Sequence, residues 1–220
     1  NPNKKIIIMK KLIVFSSVFL FALTSVYAQS DSKAIQLGVK GGVNLSKLSG
    51  DDFDDVDSRT SFNVGLVAEI PISERISFQP ELFYSGQGFD ILERDQDNIF
   101  DTDQNFEYQL DYIQVPLLLK AYLIKGLSVE AGPQFGFKIH EEFDTQPNSD
   151  GGDFEIDEDD SYVKDFDTSL ALGTSYKFDS GFFLSARYTM GLISIFKDDT
   201  FFEDVDGKNE VWQFGAGFMF

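Results

Sequence analysis

Ser61-Phe62-Asn63-Val64-Gly65-Leu66-Val67-Ala68-Glu69-Ile70 alternates in chemistry from one residue to the next. Phe62, Val64, Leu66, Ala68 and Ile70 fall on one face of an extended chain, and Ser61, Asn63 and Glu69 on the other. A period of two is the signature of a strand whose faces meet different surroundings. The same pattern recurs on both sides of this stretch. Leu37, Val39, Val43 and Leu45 oppose Gln36, Lys40 and Asn44, while Ile76, Phe78, Leu82 and Tyr84 oppose Ser77, Gln79, Glu81 and Ser85. Further on, Leu127, Val129, Ala131, Phe135 and Phe137 oppose Ser128, Glu130, Gln134 and Lys138. At the end of the chain, Trp212, Phe214, Ala216, Phe218 and Phe220 oppose Gln213, Gly215 and Gly217.

Eight such segments are predicted, at 35–46, 61–70, 76–88, 107–123, 127–140, 166–178, 182–192 and 210–220. Their connections alternate in length. Tight turns centre on Pro71-Ile72-Ser73-Glu74, Ile124-Lys125-Gly126 and Asp179-Ser180-Gly181; long polar stretches lie at 47–60, 89–106, 141–165 and 193–209. Short turns at one rim and long loops at the other are the pattern of membrane β-barrels, with the short turns on the periplasmic side. Alternation by itself does not say whether the apolar face points to a core or to lipid. Three features choose lipid: an export signal, Tyr and Phe near the strand ends of the apolar faces, and polar faces that mix both charge signs with Gly. Only a closed barrel leaves no unpaired edge in lipid. The expected fold is an all-β, eight-stranded antiparallel up-and-down transmembrane β-barrel. Pro80, Pro116 and Pro133 fall inside strands and lack a ladder donor, so bulges or strand ends are expected there.

The N-terminus reads as targeting. Met9-Lys10-Lys11 opens a charged segment, Leu12 to Leu23 is an apolar run, and Val26-Tyr27-Ala28 offers a cleavage site before Gln29. Twelve apolar residues fall short of the roughly 20 that a spanning helix needs. The expected organisation is residues 1–8 as upstream or mis-start residues, 9–28 as a signal peptide and 29–220 as the barrel domain. Localisation is then the bacterial outer membrane, reached by export through that cleaved signal peptide.

The formal net charge of −19 excludes a phosphate-binding surface of clustered Lys and Arg, and with it nucleic acid as a partner. With no Cys in the chain, disulfides, thiolate metal sites and a lipid-modified N-terminal Cys are excluded as well.

Several segments resemble the outer-membrane β-barrel domain family of Gram-negative bacteria that includes PorT-like proteins. They are Leu37-Gly38-Val39-Lys40-Gly41-Gly42-Val43-Asn44-Leu45-Ser46, Phe78-Gln79-Pro80-Glu81-Leu82-Phe83-Tyr84-Ser85, Val115-Pro116-Leu117-Leu118-Leu119-Lys120, Glu130-Ala131-Gly132-Pro133-Gln134-Phe135-Gly136 and Ala186-Arg187-Tyr188. The resemblance implies that the three prolines are family features. For PorT-like members it implies a link to protein secretion across the outer membrane. The segment Phe214 to Phe220 resembles the terminal strand by which the barrel assembly machinery recognises its substrates. The partners so implied are outer-membrane lipid, that machinery during biogenesis, and an envelope or secretion protein.

Two constellations could carry chemistry. By strand parity the polar faces hold Lys40, Lys120 and Arg187 against Glu69, Glu81 and Glu130. Lys120 and Glu130 flank one tight turn almost symmetrically and should lie opposite each other. Glu69 and Glu81 do the same about Ser73 to Arg75, and two adjacent carboxylates call for a cation that Lys40 or Arg187 could supply. The readings are a salt-bridged plug, a proton or ion path, or a paired-carboxylate acid/base site. The plug is favoured, because an eight-stranded lumen just admits side chains and unpaired buried charge is unfavourable.

The long loops with the residues that border them (47–60, 89–107, 141–165 and 193–210) form the second set, holding 29 of the 37 acidic residues. Asp51, Asp52, Asp54 and Asp55 form one run; Asp95, Asp97, Asp101 and Asp103 a second; Asp157, Glu158, Asp159 and Asp160 a third. Carboxylate clusters suit hard cations, and weak Ca²⁺ binding is one reading, although none matches a preformed Ca²⁺ loop. The other is a solvated acidic canopy. His140, the single histidine, meets the longest acidic loop, so a surface hydrolase is formally open. No nucleophile motif such as Gly-x-Ser-x-Gly supports it. The expectation is a non-enzymatic barrel with a filled lumen and acidic loops for surface interaction or envelope integrity. The alternative is an accessory role in a secretion or transport assembly.

Overall fold

The computed structural model describes residues 34–50, 57–93, 104–144, 153–156, 161–197 and 207–220. The expected signal peptide and the residues before it lie outside these. Gln36–Phe220 form one compact unit. It contains β1 (Gln36–Ser49), β2 (Asp57–Pro71), β3 (Ile76–Glu93), β4 (Gln104–Tyr122), β5 (Leu127–Asp144), β6 (Asp153–Glu155), β7 (Phe166–Lys177), β8 (Phe182–Gly191) and β9 (Lys208–Met219).

Eight of these close a ring in the order β1-β2-β3-β4-β5-β7-β8-β9, all antiparallel, with β9 returning to β1 through pairs such as Gly38↔Met219 and Asn44↔Gln213. The sheet is a closed eight-stranded barrel, as the alternation predicts. The three-residue β6 pairs with the far end of β5 (Glu142↔Glu155) and lies outside the ring. The three short turns hold as read: Ile72 N donates to Ile76 O at 2.8 Å, Leu123 N to Leu127 O at 3.0 Å and Phe178 N to Phe182 O at 2.8 Å. Gly126 and Gly181 close two of them at φ 84° and 90°, a left-handed conformation that glycine adopts without strain.

Orientation is settled by exposure. Val39, Val43, Phe62, Val64, Leu66, Leu119, Leu172, Leu184, Trp212 and Phe214 face outward and are all exposed, whereas Lys40, Asn44, Glu81, Gln114, Lys120, Glu130, Arg187 and Gln213 are buried inside. That inverts the arrangement of a water-soluble protein and suits a wall immersed in lipid. Outward aromatics pack near the strand ends, Tyr188 on Trp212 at 4.8 Å and Phe62 on Tyr84 at 5.1 Å at one end, Tyr176 on Phe178 at 4.8 Å at the other.

Two expectations need correction. The prolines cause neither bulges nor strand ends. Pro80↔Leu117, Pro116↔Gln134 and Pro133↔Leu170 are all regular pairs. The ladder to the preceding strand skips one stretch at each proline, between Val67↔Glu81 and Ile70↔Phe78 for Pro80, then resumes in the same register. A missing donor therefore removes hydrogen bonds locally while the flanking pairs hold the strands in place. The bulge in β5 falls instead at Ile139, between the pairs Asp111↔His140 and Tyr112↔Lys138. Second, β1 to β5 and β9 run beyond their predicted ends at the long-loop rim, while β7 and β8 end there as predicted. β3, β4 and β5 have 18, 19 and 18 residues, against 12, 10 and 12 in β7, β8 and β9. A membrane strand takes about 9–11 residues, so one side of the wall rises well above the lipid.

Candidate functional site: a lumen closed in layers

Inward positions of the ring alternate with lipid-facing ones, so the sequence pattern itself delivers charged side chains to the barrel axis. Glu81 receives both terminal nitrogens of Arg187, at 2.8 and 2.7 Å, and the Lys40 ammonium at 2.7 Å. Arg187 also donates to Glu130, from Nε at 3.0 Å and Nη2 at 2.5 Å. Gln79 bridges the carboxylates, donating to Glu81 at 2.7 Å and Glu130 at 3.3 Å, while its oxygen accepts from Lys120 at 3.0 Å. Lys40 also sits 4.6 Å from the Phe83 ring. The cavity left among these residues is about 10 Å³, room for about one water molecule. Bidentate guanidinium–carboxylate pairing is the strongest form such a contact takes.

A second group lies nearer the short turns. Glu69 accepts from Tyr122 Oη at 2.6 Å, Lys177 at 3.0 Å and Ser77 at 3.0 Å, with Lys120 at 3.7 Å. Lys177, which the sequence reading missed, also donates to Gln36 at 2.8 Å. Its inward parity, two residues past Ser175, was the available signal. The ion partners differ from those the hairpins suggest. Lys120 and Glu130 are directly paired in the backbone, yet the ammonium goes to Gln79 and Glu69 while Arg187 takes Glu130. Glu69 and Glu81 do not share a cation either; Glu81 stands opposite Val67 and each carboxylate has its own set. In a narrow barrel the shortest path between two inward side chains runs across the axis as often as along the wall.

Beyond the charges lies a belt of neutral polar groups. Asn44 donates to Ser85 at 2.9 Å and Gly86 O at 2.7 Å, and accepts from Asn63 at 2.6 Å. Gln87, Gln114, Gln134 and Gln213 are buried in the same region. Above that, inward positions turn apolar. Leu48, Phe89, Leu110, Tyr112, Val163 and Ile195 form a buried cluster across the extracellular mouth, flanked by Tyr108 and Phe196. Val163 and Ile195 come from chain outside the barrel strands, joined by a bridge between Val163 and Phe196. Lys138 ties this plug to the wall, donating to Glu141 at 2.5 Å, Ser161 at 2.6 Å and Val163 O at 2.9 Å. Sequence reading missed the plug because Leu48 and Phe89 lie just past the expected strand ends and Val163 and Ile195 lie in the expected loops.

The loop acids read as cation candidates, Asp51, Asp52, Asp54, Asp55, Asp95, Asp97, Asp101, Asp103, Asp157, Glu158, Asp159 and Asp160, all lie outside the described residues. Among the described residues no group of three or more His, Asp or Glu could hold a metal ion. His140 Nε2 lies 3.0 Å from Glu142, its neighbour two residues on.

A closed antiparallel ring with an apolar outside and a charged, side-chain-filled inside defines a small outer-membrane β-barrel protein. The family model for the outer membrane protein beta-barrel domain matches residues 27–197, and the chain belongs to that family. Among solved structures, Neisserial surface protein A (NspA) of Neisseria is similar at 12% identity and a TM-score of 0.51, covering 84% of this chain and 97% of that one. Ail, the attachment invasion locus protein of Yersinia pestis, aligns at 13% identity and a TM-score of 0.46, covering 84% and 98%. No curated protein sequence matches the chain.

Proposed function

We propose that this outer-membrane protein works through what its barrel displays: a rigid, non-conducting and non-enzymatic wall holds acidic loops outward for surface interaction or envelope integrity. One observation carries this reading. The lumen is crossed by the Arg187–Glu81–Glu130 network, and the cavity left among its side chains is about 10 Å³, which supports a barrel that does not work by transport through its lumen. The charge of the chain, concentrated in the connections at the long-loop rim, is then the part available to a ligand; weak Ca²⁺ binding by the three aspartate-rich runs belongs to the same reading. Export by cleavage before Gln29 is part of it too, and N-terminal sequencing of the membrane-extracted protein checks that.

The deciding experiment is binding of whole cells, with and without the protein, to candidate surfaces, repeated with Asp51, Asp52, Asp54 and Asp55 changed to Asn. Loss of adhesion or of envelope resistance in that variant, with the barrel still folded, is the expected result. An unchanged phenotype together with a stoichiometric membrane partner on purification would move the assignment to the secretion-accessory role that the PorT-like resemblance implies.

A further inference from the structure

The inward charges of the periplasmic half do not cancel once Lys177 is counted. Lys40, Lys120, Lys177 and Arg187 form ion pairs with Glu69, Glu81 and Glu130, four cations against three carboxylates among the described residues. Lys177 is the one of the four whose side chain reaches the surface, at 21% exposure against 7%, 5% and 3% for Lys40, Lys120 and Arg187. It stands at the short-turn rim, where its backbone N–H donates to Gly126 O at 2.8 Å. Two of the three N–H donors of its ammonium go to Gln36 Oε1 at 2.8 Å and Glu69 at 3.0 Å, and the charge lies 5.4 Å from the Tyr122 ring. The same ammonium-bearing chain borders a cavity of about 260 Å³, whose lining includes Gln36, Tyr122, Lys125, Phe178 and Asp179. That is many times the space one water molecule needs. Lys125 and Asp179 pair with each other at 2.8 Å, 83% and 80% exposed, and so cancel at the lip.

An unbalanced charge among groups taken out of water is unfavourable, and a low-dielectric ring directs its field out through the open end. Acids elsewhere in the chain are too far away to answer it. Asp167, the other inward carboxylate of β7, is ten residues from Lys177, roughly 33 Å along a strand, and the Debye length is about 8 Å. The counter-charge that fits is one negative charge at the mouth, on a group that accepts hydrogen bonds. The third N–H of Lys177 and the amide nitrogen of Gln36, whose oxygen is already taken, are the donors available to it. A phosphate diester carries one negative charge, the size of the imbalance, on oxygens that accept such bonds. Phe178 adds a direction. It lines the cavity yet faces outward at 43% exposure, with Tyr176 at 4.8 Å and Phe182 at 5.7 Å, so the cavity reaches from the barrel mouth to the lipid-facing wall. We propose that the periplasmic mouth binds a phosphate oxyanion between Lys177 and Gln36, and Phe178 favours a lipid headgroup of the periplasmic leaflet as its source. The acyl chains of that lipid would lie along Phe178 and Phe182.

The test uses the full barrel folded in nonionic detergent micelles, read by NMR at the Gly126 and Gly181 backbone amides and the Gln36 side-chain amide. Inorganic phosphate is one probe, and diacyl phosphatidylglycerol added to the micelles is the other. Saturable shifts at these amides, weakened by added NaCl, are the expected result. Shifts with the lipid at concentrations where inorganic phosphate gives none assign the headgroup as the source. Shifts with both at equal concentration assign free phosphate, and the oxyanion site stands in either case. Two variants then separate a charge-balancing site from adventitious contact. Gln36→Glu, at an exposed position, builds the counter-charge into the chain beside Lys177. It should keep the fold and weaken binding by roughly tenfold or more, read at Gly126 and Gly181, the worth of one hydrogen bond to a charged group. Lys177→Gln removes the surplus cation and should weaken binding to the same degree. Absence of a saturable shift with either probe overturns the proposal, and so does unchanged affinity in Gln36→Glu.

Discussion

Arg187 is the residue on which the interior most depends, since among the described residues it is the cation that forms ion pairs with both Glu81 and Glu130. Arg187→Met removes the shared cation and leaves two buried carboxylates facing each other with Lys40 and Gln79. Breaking a buried pair by deleting one partner destabilises by about 3–5 kcal/mol, and urea unfolding of the micelle-folded barrel should show a loss of that size. Asp90 offers a pH-dependent counterpart above the membrane, beyond the last lipid-facing position of β3 at Tyr84. Partial burial, then the nearby charges of Glu107 and Asp57, push its carboxyl up to about 6, against 3.8 for a free group. A raised carboxyl is bound by its proton more tightly when folded, so its contribution favours the folded state below about pH 4 and is lost as pH rises through 6. The extracellular end should therefore soften between pH 4 and 6, and Asp90→Asn should abolish that slope. A ¹³C titration of the Asp90 carboxyl with a midpoint near 4 would contradict it.

Among the elements, the turns and the plug respond differently to change. Gly126 holds φ at 84°, and a β-carbon there would stand 2.6 Å from the Lys177 carbonyl oxygen. Gly126→Ala combines a left-handed backbone with a clash and should cost about 1–3 kcal/mol. Thermal unfolding of the variant checks this; the same change at outward-facing Gly41, where the nearest atom is at 3.6 Å, is the control. In the plug, Ile195→Ala leaves a cavity in a cluster fed by chain outside the barrel strands and should destabilise by about 2–5 kcal/mol. That loss should appear as faster amide exchange in 161–165 and 192–197 at the mouth, with the ladders of β1 and β2 unaffected, because local opening precedes global unfolding. The prolines show how much each element depends on its neighbours. A strand missing one donor stays in register because regular pairs on both sides fix its position.

For the molecule as a whole, closure in lipid predicts heat-modifiable migration in gels and no steady ion conductance in planar bilayers; sustained current through the unmodified barrel would overturn the filled lumen. The amino-acid sequence was enough for the strand count, the alternation of Phe62-Asn63-Val64-Gly65 and its equivalents, the short turns, and the parity that turns Lys40, Glu81, Glu130 and Arg187 inward. Each of these is set by neighbours within a few residues or by a repeat of two. Tertiary structure alone decided which carboxylate each cation meets, since Lys120 passes over its ladder partner Glu130 for Glu69 and Gln79. It also decided the tall wall of β3, β4 and β5, the harmless prolines, and the mouth plug that brings Val163 and Ile195 beside Leu48. Those contacts join residues far apart in the chain, and their partners are fixed only when the ring closes and sets the distances across its axis.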